Sequence, residues 1–89
     1  MNREDQLFFQ LVTIFHSSAM VAMGKIINPA SGKIDRNLEQ AQESIEMLIM
    51  LRDRMKGNLG SEQQKLIDSV LTELRLNFVD EKNKDQVNS

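Results

Sequence analysis

The sequence predicts an all-α domain of three helices, and two observations support this prediction. The 89 residues are rich in Leu, Ile, Met, Glu, Gln and Lys but contain only four glycines and one proline, a composition that favours helix over sheet. Apolar residues recur at helical spacing in three segments separated by turn-forming residues. We expect helices over about residues 4–23, 35–56 and 61–79, as a three-helix antiparallel bundle in which "GNLG" joins the last two as a hairpin.

Residues at the segment ends predict where each helix begins and stops. Gly24 is suited to end the first helix, since glycine adopts the left-handed cap conformation without steric cost. Asp35 is a suitable N-cap for the second helix, and Gly57 follows the cations of its last turn. Ser61 and Gln64 have the spacing of a capping box at the start of the third helix.

The C-terminal segment, "DEKNKDQVNS", is polar and lacks helical periodicity. We therefore expect a single helical domain over residues 1–79 and a mobile tail over residues 80–89.

Each helix should bury one apolar face, which the helical period identifies. The expected core residues of the second helix are Leu38, Ala41, Ile45, Leu48 and Met55. Those of the third helix are Ile67, Val70, Leu71, Leu74 and Phe78.

The first helix is apolar over most of its circumference, so two partner helices of its own chain can cover only part of it. Leu7, Phe8, Leu11 and Phe15 share one broad side with Ala19, Ala22 and Met23, while Phe9, Ile14, Met20 and Val21 project elsewhere. The candidate interface residues are Phe8, Phe9, Leu11, Ile14, Phe15, Met20 and Val21. We expect a homo-oligomer, with a dimer favoured, or another protein as the cover.

Composition excludes several classes of protein. Without cysteine there is no disulfide, thiolate metal site or cysteine nucleophile. A net charge of −2 gives no general attraction to nucleic acid or anionic membrane. The apolar N-terminal stretch follows the acidic "MNREDQ" and is interrupted by polar residues, unlike a secretory leader or membrane span. We expect a soluble cytoplasmic protein.

The loop "GKIINPASGKID" contains two Gly-Lys pairs, but it is not a nucleotide-binding P-loop. That motif requires a preceding strand and Ser or Thr after the lysine, whereas Ile follows both lysines here. A structural connector explains the turn residues. The alternative is an anion site at which Lys25, Lys33 and Arg36 converge near the start of the second helix, with Arg52 as a further candidate.

Other residues with possible chemistry favour structural roles. His16 is the single histidine and has no nucleophile motif to act with. Glu39, Glu43 and Glu46 share one helix face without histidine, which is typical of a solvated face rather than a metal site. Arg52 interrupts the apolar stripe of the second helix, so we expect an ion pair, with a carboxylate of another helix as one possible partner. No catalytic residue, metal ligand or cofactor is therefore expected.

Three stretches together resemble a small bacterial family, domain of unknown function 1844. They are "GKIINPASGKIDRNLEQA", "IEMLIMLRDRMKGNLGSEQQKLI" and "LTELRLNFV", and the resemblance spans about residues 7–79. Ser31 and Met55 stand where the family more often has threonine. The resemblance implies an all-helical fold and no established activity.

The function expected from the residues is a non-enzymatic protein-interaction or self-associating module. The alternative is a small protein that binds nucleic acid or a phosphate ligand through the basic inter-helix loop.

Overall fold

Three helices account for most of residues 2–87, the part of the chain that the computed structural model describes. Helix α1 is Arg3–Ala22, α2 is Leu38–Arg54 and α3 is Ser61–Val87. Within these residues the one β feature is an isolated antiparallel bridge between Asn28 and Lys33. The predicted all-α class with three helices is confirmed. None of the helices in this range is long and apolar enough to cross a membrane.

Helices α1 and α3 run parallel to each other. Near their N-termini, Gln63 donates a hydrogen bond from Nε2 to Oδ1 of Asp5 over 2.6 Å. Beyond the C-terminus of α1, Nζ of Lys25 lies 3.0 Å from Oδ2 of Asp80, far along α3. The start of α1 therefore lies beside the start of α3, and the end of α1 lies beside the later part of α3, so the two helices run in the same direction.

Helix α2 runs antiparallel to the other two. Arg52, near its end, approaches Asp68, near the start of α3, with Nη1 and Oδ1 3.8 Å apart. Asn37, at its start, donates its backbone N–H to the carbonyl oxygen of Ala22 at the end of α1 over 2.7 Å. The chain thus folds as an up-down-up bundle.

The core lies along the axis of the bundle, where all three helices meet. Its buried apolar residues are Phe8, Val12, Ala19, Ala22, Met23, Ala41, Ile45, Leu48, Ile67, Leu71 and Leu74. Leu38, Met55, Val70 and Phe78 pack against it half-buried. These two groups contain every core residue predicted for α2 and α3.

The predicted start of α2 is wrong by three residues. Asn37, not Asp35, is the N-cap, and its side-chain oxygen accepts a hydrogen bond from the backbone N–H of Gln40 over 3.1 Å. The Asp35 carboxylate instead accepts hydrogen bonds from Ser31 Oγ over 2.6 Å and from Asn28 Nδ2 over 3.2 Å. Either side chain can cap a helix, and here the loop uses Asp35.

The capping residues of α3 are each one position before the predicted pair. The backbone N–H of Gly60 donates to Oε1 of Gln63 over 2.8 Å, and the Gly60 carbonyl accepts from the backbone N–H of Gln64 over 3.0 Å. The Gln64 side chain bonds Asp68 instead. The predicted box of Ser61 and Gln64 is therefore replaced by Gly60 and Gln63.

The predicted mobile tail is wrong over residues 80–87, because α3 continues through Val87. Residues 88 and 89 lie outside the described residues. Ion pairs with the loop after α1 hold this last part of α3, and a reading of helical periodicity alone does not detect them.

Two leucines of α3 provide a test of the packing. Leu74 is buried, so its replacement by Ala should lower the free energy of unfolding by about 2–5 kcal/mol, through lost apolar burial and a residual cavity. Leu76 is 69% exposed, and Leu76→Ala should change it by less than about 0.5 kcal/mol. Urea titrations followed by circular dichroism measure both. Equal effects would contradict this arrangement of α3.

Candidate functional site

Glu81 is the centre of an ion cluster that joins α3 to the loop after α1. Its side chain accepts from Nζ of Lys25 at 2.8 Å, from Nε of Arg36 at 3.0 Å and from Nζ of Lys84 at 2.9 Å. Glu81 is only 5% exposed. A carboxylate can be buried in this way because three cations compensate for its lost hydration.

Two exposed carboxylates complete the cluster. Asp80 lies 3.0 Å from Lys25 Nζ, and Asp85 lies 2.8 Å from Arg36 Nη2. Arg36 also donates from Nη2 to the backbone carbonyl oxygen of Glu81 over 3.1 Å. One loop therefore contacts more than one turn of α3.

These contacts shift the pKa values of the groups involved. Hydrogen bonds from Lys25 and then Lys84 lower the pKa of Glu81 from 4.5 to about 2, although its burial opposes the change. Lys25 likewise lowers the pKa of Asp80. The pKa of Lys25 is raised by its hydrogen bonds to Glu81 and then Asp80, and that of Arg36 by Asp85 and then Glu81. The charged forms of these four groups, Glu81, Asp80, Lys25 and Arg36, are therefore favoured.

Gly24 allows the loop to reach this position. Its φ is +80°, and backbone hydrogen bonds from Gly24 to Val21 and from Lys25 to Met20 close the helix, the pattern of a Schellman motif. A Cβ atom at Gly24 would lie 3.2 Å from Cδ of Arg36. Glycine therefore ends α1 as predicted and leaves room for the Arg36 side chain.

The four candidate anion-binding cations are not brought together. Lys25 and Arg36 meet, but the anions between them are the chain's own carboxylates of α3. Lys33 is exposed in the loop and makes no ion pair within residues 2–87. Arg52 lies on α2 and contacts Asp53 at 3.4 Å and Asp68 at 3.8 Å. The cross-helix pairing considered for Arg52 is thus present.

The other chemical candidates occupy separate places. His16 packs between α1 and α3, where Nε2 is buried 3.4 Å from Oε1 of Glu73 without hydrogen-bond geometry. Glu39, Glu43 and Glu46 are exposed on α2. Over the described range, no three His, Asp or Glu side chains are grouped closely enough to hold a metal ion.

Helix α1 carries two adjacent stripes, each with residues spaced alternately by four and three. The inner stripe consists of Phe8, Val12, Phe15, Ala19 and Ala22, and it packs into the core. The outer stripe consists of Leu7, Leu11, Ile14, Ser18 and Val21. Its three large residues at the N-terminal end remain 46%, 39% and 62% exposed. This is the spacing of residues that share one face of a helix.

The outer stripe differs in part from the candidate interface. Leu11 and Ile14 are exposed as an interface requires, and Leu7, which the sequence assigned to the inward side, is exposed with them. The seven candidate residues divide as follows: Phe8 is buried, Phe15 and Met20 pack half-buried against the core, Phe9 and Val21 are half-buried, and Leu11 and Ile14 are exposed. The inward face of α1 includes Val12, which the predicted broad side did not contain, and leaves out Leu7 and Leu11, which it did.

Met47 of α2 extends this apolar surface. Ser18 of α1 and Gln40 of α2 line the same shallow depression. Seven residues are about two helical turns, and the two helices are antiparallel. Met47, two turns after Gln40, therefore lies beside Leu11, two turns before Ser18. Met47 is also exposed.

Sequence reasoning missed Glu81 because a buried carboxylate cannot be identified from one helix alone. A local signal was present: Lys84 follows Asp80 by four residues and Glu81 by three, a spacing at which charged side chains pair on a helix. This charge spacing favours helix, and it predicts that α3 continues past Val79.

The fold and these surfaces define an all-α three-helix domain with a charged cluster around Glu81 and an exposed apolar stripe on α1. The chain belongs to the family described as a domain of unknown function, DUF1844, whose model matches residues 5–81. The resemblance found from the sequence motifs is confirmed, and the matched region reaches Glu81. No curated protein and no solved structure is a match to the chain.

The ion cluster predicts a local effect of Glu81→Gln. Loss of the carboxylate charge weakens three charge-assisted hydrogen bonds, so backbone amides of residues 80–87 should exchange hydrogen faster while those of the core residues 67–74 do not. Glu73→Gln is the matched control, since Glu73 is an exposed residue of α3 outside the cluster. Hydrogen exchange with mass spectrometry measures both. Unchanged exchange in Glu81→Gln would mean that α3 ends at Val87 without help from the loop.

The lowered pKa of Glu81 predicts a dependence of stability on pH. As pH falls below 4.5 the unfolded chain takes up a proton first, so this contribution is complete above 4.5 and is lost as pH approaches about 2. Between these values the wild-type free energy of unfolding should decrease more than that of Glu81→Gln. Urea titrations at several pH values measure the difference, and parallel curves would contradict the proposed role of Glu81.

Proposed function

We propose that this protein is a non-enzymatic interaction module that binds another protein surface through the outer stripe of α1 and the adjoining Met47. The observation that supports this most is the exposure of Leu7, Leu11 and Ile14 on one line of a helix whose adjacent stripe forms the core. Clustered apolar exposure of this kind marks interfaces more often than scattered exposed residues do.

The energetics favour such a role. Full burial of a Leu or Ile side chain contributes about 1.5–3 kcal/mol. Burial of three half-exposed residues, with a similar set on the partner, offsets an association cost near the lower end of the range of about 4–15 kcal/mol. Neighbouring Met47 is suited to the edge of the surface because its unbranched side chain adapts to the shape of a partner.

The alternative, binding of nucleic acid or a phosphate ligand, has less support. Lys25 and Arg36 already pair with carboxylates of α3. An external anion would have to displace Glu81, whereas exposed Lys33 alone offers a single charge.

The test compares Ile14→Glu with Leu76→Glu in the native host. Both positions are exposed, at 62% and 69%, so each variant should fold, but only Ile14→Glu places a charge on the outer stripe. Wild type and Leu76→Glu should elute in a complex larger than the 10.2 kDa chain, and Ile14→Glu as the free chain. Size-exclusion chromatography of unpurified lysates, with detection of a tag, measures this. A complex that survives Ile14→Glu, or a wild type that elutes alone, would contradict the proposal.

A further inference from the structure

We infer that the partner at the outer stripe is a second copy of this chain, packed antiparallel across a two-fold axis that passes between Leu11 and Ile14. This inference rests on the proposed function and specifies its partner. In this register Leu11 of one copy lies against Ile14 of the other, and Leu7 of one copy lies against Ser18 of the other.

The charge distribution supports a second copy as the occupant. Residues 6–24 contain no Asp, Glu, Lys or Arg, so the whole exposed side of α1 over this length is uncharged. Close to a two-fold axis, residues meet their own copies or near neighbours, so a charge there would face the same charge. An uncharged apolar stripe is complementary to itself.

Two properties favour the antiparallel direction. The large residues of the outer stripe, Leu7, Leu11 and Ile14, lie toward its N-terminal end, and the small Ser18 lies toward the other. Antiparallel packing sets Leu7 against Ser18, whereas parallel packing sets Ser18 against Ser18 and leaves a gap. Antiparallel packing also keeps the two charged first turns, with Arg3, Glu4 and Asp5, at opposite ends of the interface, where Glu4 of one copy lies against Val21 of the other. Parallel packing would bring the two first turns together.

The size of the surface is compatible with a dimer. Helix α1 has 20 residues and is about 30 Å long. With the flank of α2 that carries Met47 and Glu43 included, the face is about 20 Å wide, since packed helices are about 8–10 Å apart. The uncharged outer stripe then forms its centre, and α2 contributes a charged rim. This gives on the order of 600 Å², close to the about 800 Å² per partner of a standard interface.

The first measurement is the mass of the purified protein by light scattering at high micromolar concentration. Wild type and the control Leu76→Glu should have twice the mass of the 10.2 kDa chain, and Ile14→Glu should weaken the dimer by about 30-fold or more. Circular dichroism verifies folding, and Ile14→Ser is a second variant in case Ile14→Glu misfolds. A monomeric wild type would overturn the second-copy inference. If the purified wild type were monomeric but Ile14→Glu still abolished the larger complex in lysates, the proposed function would stand, with another protein as the partner.

The second measurement is the direction of packing, for which the absence of cysteine is an advantage. A disulfide requires Cα atoms within about 7 Å, and the antiparallel register places the two copies of Leu7 about 16 Å apart. Leu7→Cys and Ser18→Cys should therefore form a disulfide dimer when mixed and oxidised, but not separately. Leu76→Cys mixed with Ser18→Cys is the control. Disulfide dimers of Leu7→Cys alone would overturn the antiparallel geometry.

Discussion

The packing of α1 against both other helices is the constraint on which the rest of the structure depends. Small residues of its inner stripe, Ala19 and Ala22, let α2 and α3 approach closely, while Phe8 and Val12 fill the wider end of the bundle. The loop of residues 24–37 begins and ends at the C-terminal end of α1. The loop then returns along the end of α1, where the carbonyl of Ala22 accepts from Asn37.

The ion cluster depends on that return path. Because the loop turns at Gly24, Lys25 and Arg36 lie at the same end of the bundle, beyond the apolar layer around Leu74 and Phe78. Helix α3 has 27 residues against 20 in α1, so its final turns extend past that layer. None of residues 80–86 belongs to the hydrophobic core, and ion pairs with the loop hold this part of the helix. Because Glu81 is buried, its pairing with three cations avoids the cost of an uncompensated charge.

The sequence was sufficient for features that depend on local patterns and insufficient for those that depend on pairing between segments. Apolar spacing identified three helices and the buried faces of α2 and α3, and Gly24 was correctly placed at the end of α1. The choice between Asp35 and Asn37 as the cap depends on whether the loop uses one of them, which is a tertiary property. The last turns of α3 were missed for the same reason, since Glu81 acquires its partners only when the loop is in place. On α1, nearly all directions are apolar, so the pattern alone did not show that Leu7 and Leu11 face outward while Phe8 faces inward.

The ion cluster around Glu81 and the outer stripe of α1 respond to different conditions. The residues of α1 explain why the two surfaces are separate. Successive residues on a helix are 100° apart, so two adjacent stripes together cover about half of its circumference. The remaining arc carries Gln10, Thr13 and Ser17 beside Phe9, His16 and Met20, and residues 6–24 contain no Asp, Glu, Lys or Arg. Within residues 2–87 the ion pairs of Lys and Arg side chains therefore lie beyond the C-terminal end of α1 or on other helices. Salt screens exposed ion pairs, whereas apolar burial is maintained or strengthened by many salts. Salt should thus weaken the exposed pairs of Asp80 and Asp85 with the loop more than the pairs of buried Glu81, while the apolar packing of the inner stripe is maintained.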